Sequence, residues 1–521
     1  MIIPRLLRYG ISFLLLLTIA RLGSAQPIDM HYTVSMEHPE EHLYHLVFTI
    51  KGPGGPVLDL KMPAWMPGYY QLLDYGAMVQ HFRATDEKGR DLGWQKIDST
   101  TWRVEHTTGA TMRVEYDVKA TKAFVAQPWL DTSRAYIAPA GVFLYVKGWL
   151  AQAVTVEVRP WGRWHRVATG LRKVPGKGYV YRAENFDILY DSPILVGELE
   201  ELPSFTVRGI PHYFIGWRLG EFDRKQFVED LKKVVTAGVD VIGDIPYRDY
   251  TFLATGPGRG GIEHLNSTTI GFSGEALKTA QGRKGVLSFI AHEYFHHYNV
   301  KRIRPIALGP FDYDRANRTN MLWVSEGLTV YYEYLMLRRA GLMTADDLLH
   351  NFQYDIAAYE NKTGHLYQSL AQASAETWSD GPFGRTGDSI NKTISYYQKG
   401  PAVGLLLDMA IRHATGNKKS LDDVIRALYR EYYQEKKRGF TDTEFRQVAE
   451  ATAGTELSEI FDYVYTVKEP DYEKYLAYGG LGIDLGSQGE AGGVTKRSFR
   501  ITPLPQADAL QQSIRKSWLG E

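Results

Sequence analysis

Across residues 31–202 apolar and polar positions alternate in runs such as HLYHLVFTI (42–50) and TWRVEHTTGATMRVEYDV (101–118), with Gly and Pro between them. Period-two patterning rich in Val, Tyr, Phe and Thr predicts strands with one buried face. A β-rich domain over 26–203 follows. After a short strand, HYFIGW (212–217), the apolar spacing changes to three and four, which predicts helices over 222–237, 284–299, 322–340, 400–414 and 421–434. Residues 204–478 therefore read as a second, mainly helical domain, giving an α+β multidomain chain. The stretch 479–493 carries seven glycines and reads as a linker to a last strand (499–502) and a short helix ending at Trp518, so 479–521 is linker, strand and helix. The segment PAWMPGYY (63–70) is a Pro- and Gly-punctuated aromatic loop, read as domain packing rather than a ligand box.

Residues 1–25 break this pattern. Arg5 and Arg8 precede an apolar run over 11–20, and Gly23 and Ala25 precede Gln26-Pro27, the three regions of a secretory signal cleaved after Ala25. The run is shorter than the ~20 residues that span a bilayer, so no stable membrane insertion is expected after cleavage. The 521 residues, 44% of them hydrophobic, suffice for large cores, and 60 basic against 60 acidic side chains give no electrostatic footprint for nucleic acid. The chain has no cysteine, which excludes disulfides, thiolate metal sites and cysteine catalysis. An exported, disulfide-free chain suits a bacterial periplasm or exterior, and any metal must sit on His, Asp or Glu.

The helical pattern VLSFIAHEYFHHYN (286–299) places His292 and His296 four apart on one face with Glu293 beside them, the H-E-x-x-H zinc arrangement. Zn²⁺ needs a third protein ligand, and Glu326 in LWVSEGLTVYYEYL (322–335), flanked by Trp323, Val324 and Leu328, is the candidate. An unpaired carboxylate in those surroundings would be costly. Upstream, GRGGIEHLNSTTI (258–270) reads as an edge strand. Its Glu263 either faces the cleft, where it could hold a peptide ammonium, or is a strand-end surface acid. Downstream, ISYYQKGPAVGLLLDMAI (394–411) sets Tyr396 and Tyr397 before a helix entrance; either is an oxyanion donor or an ordinary core or surface aromatic.

These residues, with HYNVKRIRPIALGPFDYD (297–314), SYYQKGPAVGLLLD (395–408) and DSPILVGELE (191–200), resemble the glycyl aminopeptidase family of thermolysin-like zinc peptidases. The resemblance implies a β-rich domain followed by a thermolysin-like catalytic domain, with one zinc ion per chain on His292, His296 and Glu326 and with Glu293 as base. It makes GGIEH (260–264) the amine-recognition strand, which assigns Gly261, Glu263 and His264 to substrate binding, and it selects Tyr397 over Tyr396 as the oxyanion donor. Two departures stand out. Family members commonly carry a PDZ-like module where this chain has only its glycine-rich stretch, and position 330, one turn past Glu326, is valine. No acid there can orient a zinc-bound histidine as in thermolysin, and Glu333 is a weak substitute.

The implied activity is an exported zinc aminopeptidase that releases N-terminal residues from peptides, with small residues such as Gly or Ala favoured. A zinc endopeptidase of the same clan, a non-catalytic exported peptide-binding protein and a hydrolase of non-peptide substrates are the alternatives.

Overall fold

The computed structural model describes residues 28–383, 391–491 and 494–521. The signal segment, 1–25, lies outside the described residues. Alternation in the first third produces what it predicts: in the strand Leu43–Lys51, Tyr44, Leu46, Phe48 and Ile50 are buried while their neighbours are not. That strand pairs antiparallel with Asp29–Ser35, the central strand of a seven-stranded sheet, on one side and with Met112–Lys119 on the other. Two four-stranded sheets complete the β-rich unit. One is built on Val57–Lys61 and Thr101–Glu105, the other on Arg134–Ile137 and Ile194–Gly197.

The division between the two hydrophobic cores falls between Leu199 and Leu202, except that Trp65 and Tyr70 join the second core and Leu253, Ile262 and Tyr313 the first. Beyond it the chain forms another sheet, in which Ile210–Gly216, Tyr250–Ala254 and Ser267–Ile270 run parallel and Gly261–Glu263 adds antiparallel at the edge. The helix Arg224–Ile242 makes the crossover between the first two strands; Asp223 caps its N-terminus and Gly243, at φ 92°, ends it. A helical bundle follows, with Ala280–Phe295, Leu328–Arg339 and Tyr396–Ala414 at its centre.

Six helices among the described residues lie outside the runs expected from the sequence: Phe186–Tyr190, Ala345–Glu360, Leu370–Asp380, Asp442–Ala453, Ser458–Tyr465 and Tyr472–Tyr478. The glycine-rich stretch also differs from expectation. Its described part is not a linker but a strand, Leu481–Ala491, paired with Val494–Pro503. Backbone pairing needs no side chains, so glycines are tolerated along that ladder. The hairpin is tied to the bundle by Arg497, which donates to Glu360 at 2.7 Å, and the last helix buries Trp518, whose indole N–H donates to Tyr331 at 3.1 Å. No helix among the described residues is long and apolar enough to cross a membrane.

Candidate metal centre and cleft

His292 and His296 come from the last turn of the helix Ala280–Phe295 and are buried, as is Glu326. The Nδ1 atoms of both histidines face acceptors: Glu333 Oε2 at 3.0 Å for His292 and the Asn299 carbonyl at 2.7 Å for His296. Each Nδ1 must therefore carry the proton, which leaves both Nε2 lone pairs bare. Those two Nε2 atoms lie 2.9 Å apart, and Glu326 Oε2 stands 3.6 Å from one and 3.2 Å from the other. Bare lone pairs at that distance repel unless a cation is shared. Tetrahedral Zn²⁺ with bonds near 2.0–2.1 Å sets its ligand atoms about 3.3 Å apart, so these donors fit zinc. Burial alone would raise the Glu326 carboxyl pKa; with no metal bound, protonated His296 and His292 outweigh it and hold the group well below its usual range, a positive charge whose place the metal takes.

Glu326 sits on a π-turn, Trp323–Gly327, closed by Leu328 N–H donating to the Trp323 carbonyl and leading into the helix Leu328–Arg339. Asn299 braces that turn. Its side-chain amide donates to the carbonyls of Val324 (2.8 Å) and Ser325 (3.2 Å), while its own carbonyl receives His296. One residue, Asn299, thereby links two ligands. Glu333 supplies the histidine partner that position 330 cannot: its other oxygen accepts from Ser288 at 2.7 Å, which fixes the carboxylate against His292.

Gly327 and Gly400 make the next contact. A Cβ on Gly327 would lie 2.6 Å from the Gly400 Cα, and the reverse substitution would be equally close to Gly327. Two glycines let the ligand segment and the helix Tyr396–Ala414 touch backbone to backbone, and this brings the Tyr397 hydroxyl to 2.8 Å from Glu326 Oε2, to which it donates. Burial and then the Glu326 charge raise the Tyr397 pKa well above its usual value, so the phenol stays a donor. Tyr396 turns the other way, its hydroxyl 2.9 Å from Thr377 Oγ1.

Glu293 is buried among these groups with one carboxylate oxygen lacking a partner. Burial pushes its carboxyl up to about 8, opposed by His292 and His296 and reinforced by the charges of Glu263 and Glu326. Gly261 lies directly against it: a Cβ there would fall 2.3 Å from the Glu293 carboxyl carbon. Glu263, two residues along the edge strand, is also buried with an unpartnered oxygen. His264 requires a correction. It was expected to bind substrate, but its fully buried ring points to Asp191 of the β-rich domain, Nδ1 3.3 Å from Oδ1, because successive positions along an extended chain face opposite sides.

The loop 63–70 does more than pack domains. Trp65 is fully buried against Phe311 and Trp378 and donates to the Asp312 carbonyl at 2.8 Å, which is packing. Gly68, at φ 95°, presses on the edge strand: a Cβ there would meet Glu263 Oε2 at 2.8 Å. Tyr70 is buried, and after burial the charges of Glu326 and Glu263 contribute most to raising its pKa.

The chain matches the family model "Peptidase M61 N-terminal domain" over residues 31–198 and "M61 glycyl aminopeptidase" over 285–403. A search of curated protein sequences returns no significant match. Among solved structures, an aminopeptidase N family protein from Idiomarina loihiensis is 24% identical with a TM-score of 0.83, covering 89% of this chain and 81% of that one. Yeast LTA4 hydrolase is 15% identical with a TM-score of 0.53, covering 88% and 71%. A variant of an M1 zinc metallopeptidase from Deinococcus radiodurans, bound to a Tyr-Ser-Ala substrate, is 14% identical with a TM-score of 0.52, covering 86% and 95%. At these identities the likeness is one of fold. The two family matches together span more than half of the sequence and enclose His292, Glu293, His296, Glu326 and Tyr397. The chain belongs to the M61 glycyl aminopeptidase family of metallopeptidases.

Proposed function

We propose that the protein is an exported, zinc-dependent aminopeptidase that removes small N-terminal residues, Gly or Ala foremost, from peptides, with one zinc ion per chain on His292, His296 and Glu326. The observation that carries the exopeptidase reading is Glu263, a buried carboxylate beside Glu293 with an oxygen that no group among the described residues satisfies. A buried, unpaired acid is costly, and a peptide ammonium is the cation that this cleft can offer it. An endopeptidase would leave that oxygen unmet. The peptide bound to the Deinococcus radiodurans neighbour supports the substrate class, and the family description supports the preference for glycine. The signal-like segment 1–25 supports export.

Zinc, when held by these ligands, acidifies a water and polarises a carbonyl. The chain's own residues do the rest. Glu293 accepts a proton from the attacking water and passes it to the leaving amine. Tyr397 donates a hydrogen bond to the oxygen that becomes negative in the tetrahedral intermediate. Glu263 holds the free amine and so sets the cut one residue in.

The test is mass spectrometry of the purified protein with paired peptides, free or N-acetylated and varied at the first residue, with and without chelator. Stepwise, chelator-sensitive loss of small residues from free peptides alone is expected. Internal cleavage of both sets would replace the reading with an endopeptidase, and intact peptides throughout would replace it with a binding protein or a non-peptide hydrolase.

A further inference from the structure

We propose that Tyr70, delivered by the β-rich domain, walls the pocket for the side chain of the substrate's first residue and is the residue that restricts it to small groups. This rests on the aminopeptidase reading and goes beyond it, because it places the specificity wall outside the catalytic domain. The amine of a bound peptide sits at Glu263 and the reacting carbonyl beside Glu326 and Glu293. Only the α-carbon lies between amine and carbonyl, so its side chain departs from a point flanked by these carboxylates.

Three observations put Tyr70 on that flank. Gly68 closes over Glu263, leaving only 2.8 Å between a would-be Cβ and Oε2, so the loop backbone covers the amine anchor. Two residues on, the Tyr70 hydroxyl is hydrogen-bonded with Glu326 and feels the charges of Glu326 and Glu263, so the side chain stands beside both the ligand and the amine anchor. The ring is also fixed. Its outer edge meets Trp378 with 6.1 Å between centroids, and the adjacent Gln71 side chain donates to the Thr377 carbonyl at 2.7 Å, pinning the loop to the helix Leu370–Asp380. Tyr70 is 8% exposed and has no room to swing aside. A branched or aromatic first residue would have to displace Tyr70, whereas Gly or Ala would not.

The experiment measures kcat/KM of the zinc-loaded full chain and of Tyr70→Phe, Tyr70→Leu and Tyr70→Ala on Gly, Ala, Leu and Phe aminoacyl-coumarin amides, with zinc content and melting temperature recorded for each. Trimming the wall should raise the Leu-to-Gly ratio by about tenfold in Tyr70→Ala, as expected for pocket-size discrimination. Tyr70→Leu should move the ratio in the same direction, and Tyr70→Phe, of nearly equal size, should hold it within about twofold. If Tyr70→Ala does not fold, Tyr70→Leu alone decides. An unchanged ratio in the smaller variants overturns the proposal, as does an equal loss on all four substrates, which would mark Tyr70 as a structural residue. Wild-type cleavage of N-acetylated peptides at the rate of free ones would instead overturn the aminopeptidase reading on which the proposal rests.

Discussion

Glu333 Oε2 lies 3.0 Å from His292 Nδ1, although the two residues are 41 positions apart and on different helices. The contact fixes the tautomer and the plane of one zinc ligand, and Ser288 fixes Glu333 in turn. Glu333→Ala should weaken zinc affinity about 10–100-fold. Glu333→Gln, which keeps an acceptor oxygen, should lose less. Competition against a chromogenic chelator reads both, and an unchanged affinity in the alanine variant would show that His292 is held by something else.

Glu293 and Glu326 should separate cleanly on substitution. Glu293→Ala should keep stoichiometric zinc and lose turnover, since it removes a proton carrier and no ligand. Glu326→Ala should lose the metal, because two histidines leave the tetrahedral set short of a protein ligand. Metal analysis beside activity decides. The reverse pattern would mean that base and ligand are exchanged.

Tyr397→Phe removes a donor that Gly327 and Gly400 bring to the metal-facing carboxylate. If the hydroxyl meets the developing oxyanion, kcat should fall about 10²–10³-fold with KM nearly constant. A rise in KM alone would assign the phenol to ground-state binding.

His212 couples stability to pH away from the active site. Burial depresses its pKa from 6.5 to about 4, and its ring is held neutral between the Ile210 carbonyl (3.0 Å) and the Tyr247 hydroxyl (2.8 Å). Because the folded value is depressed, the unfolded chain binds the extra proton between these limits. Stability is thus full above pH 6.5 and declines as the pH falls toward 4, by roughly 3 kcal/mol at most. Denaturant unfolding across this window should show a smaller pH slope in His212→Gln than in the wild type. Equal slopes would remove His212 from the account.

Legibility in the sequence followed the locality of each signal. The alternation in 42–50 and the four-residue spacing of His292 and His296 are properties of a single element, and both are present in the structure. Helices Ala345–Glu360, Leu370–Asp380 and Asp442–Ala453 carry local signals of their own: Leu348, Leu349, Phe352 and Ile356 recur at helical spacing in the first, and each opens on a capping box, Thr344 with Asp347, Ser369 with Gln372, and Thr441 with Glu444. Glu333 reads in the sequence as only a weak substitute because the thermolysin-like position lies one turn past Glu326, whereas this acid stands two turns on, where i+7 returns to the same face. Which turn meets His292 depends on how two helices cross, and no local pattern records that. The role of Gly68 and Tyr70 was hidden for the same reason. A loop almost 200 residues before Glu263 shows its aromatic composition but not its neighbour.

The central claim is that a free amine is read by Glu263 at a zinc centre. It is tested most directly by comparing an alanyl peptide with its N-acetylated form on the zinc-loaded wild type and on Glu263→Ala. The wild type should cleave only the free peptide, and Glu263→Ala, with zinc content unchanged, should lose most of that activity and its discrimination against the acetylated form. Undiminished preference for the free amine in a zinc-replete Glu263→Ala variant would contradict the claim.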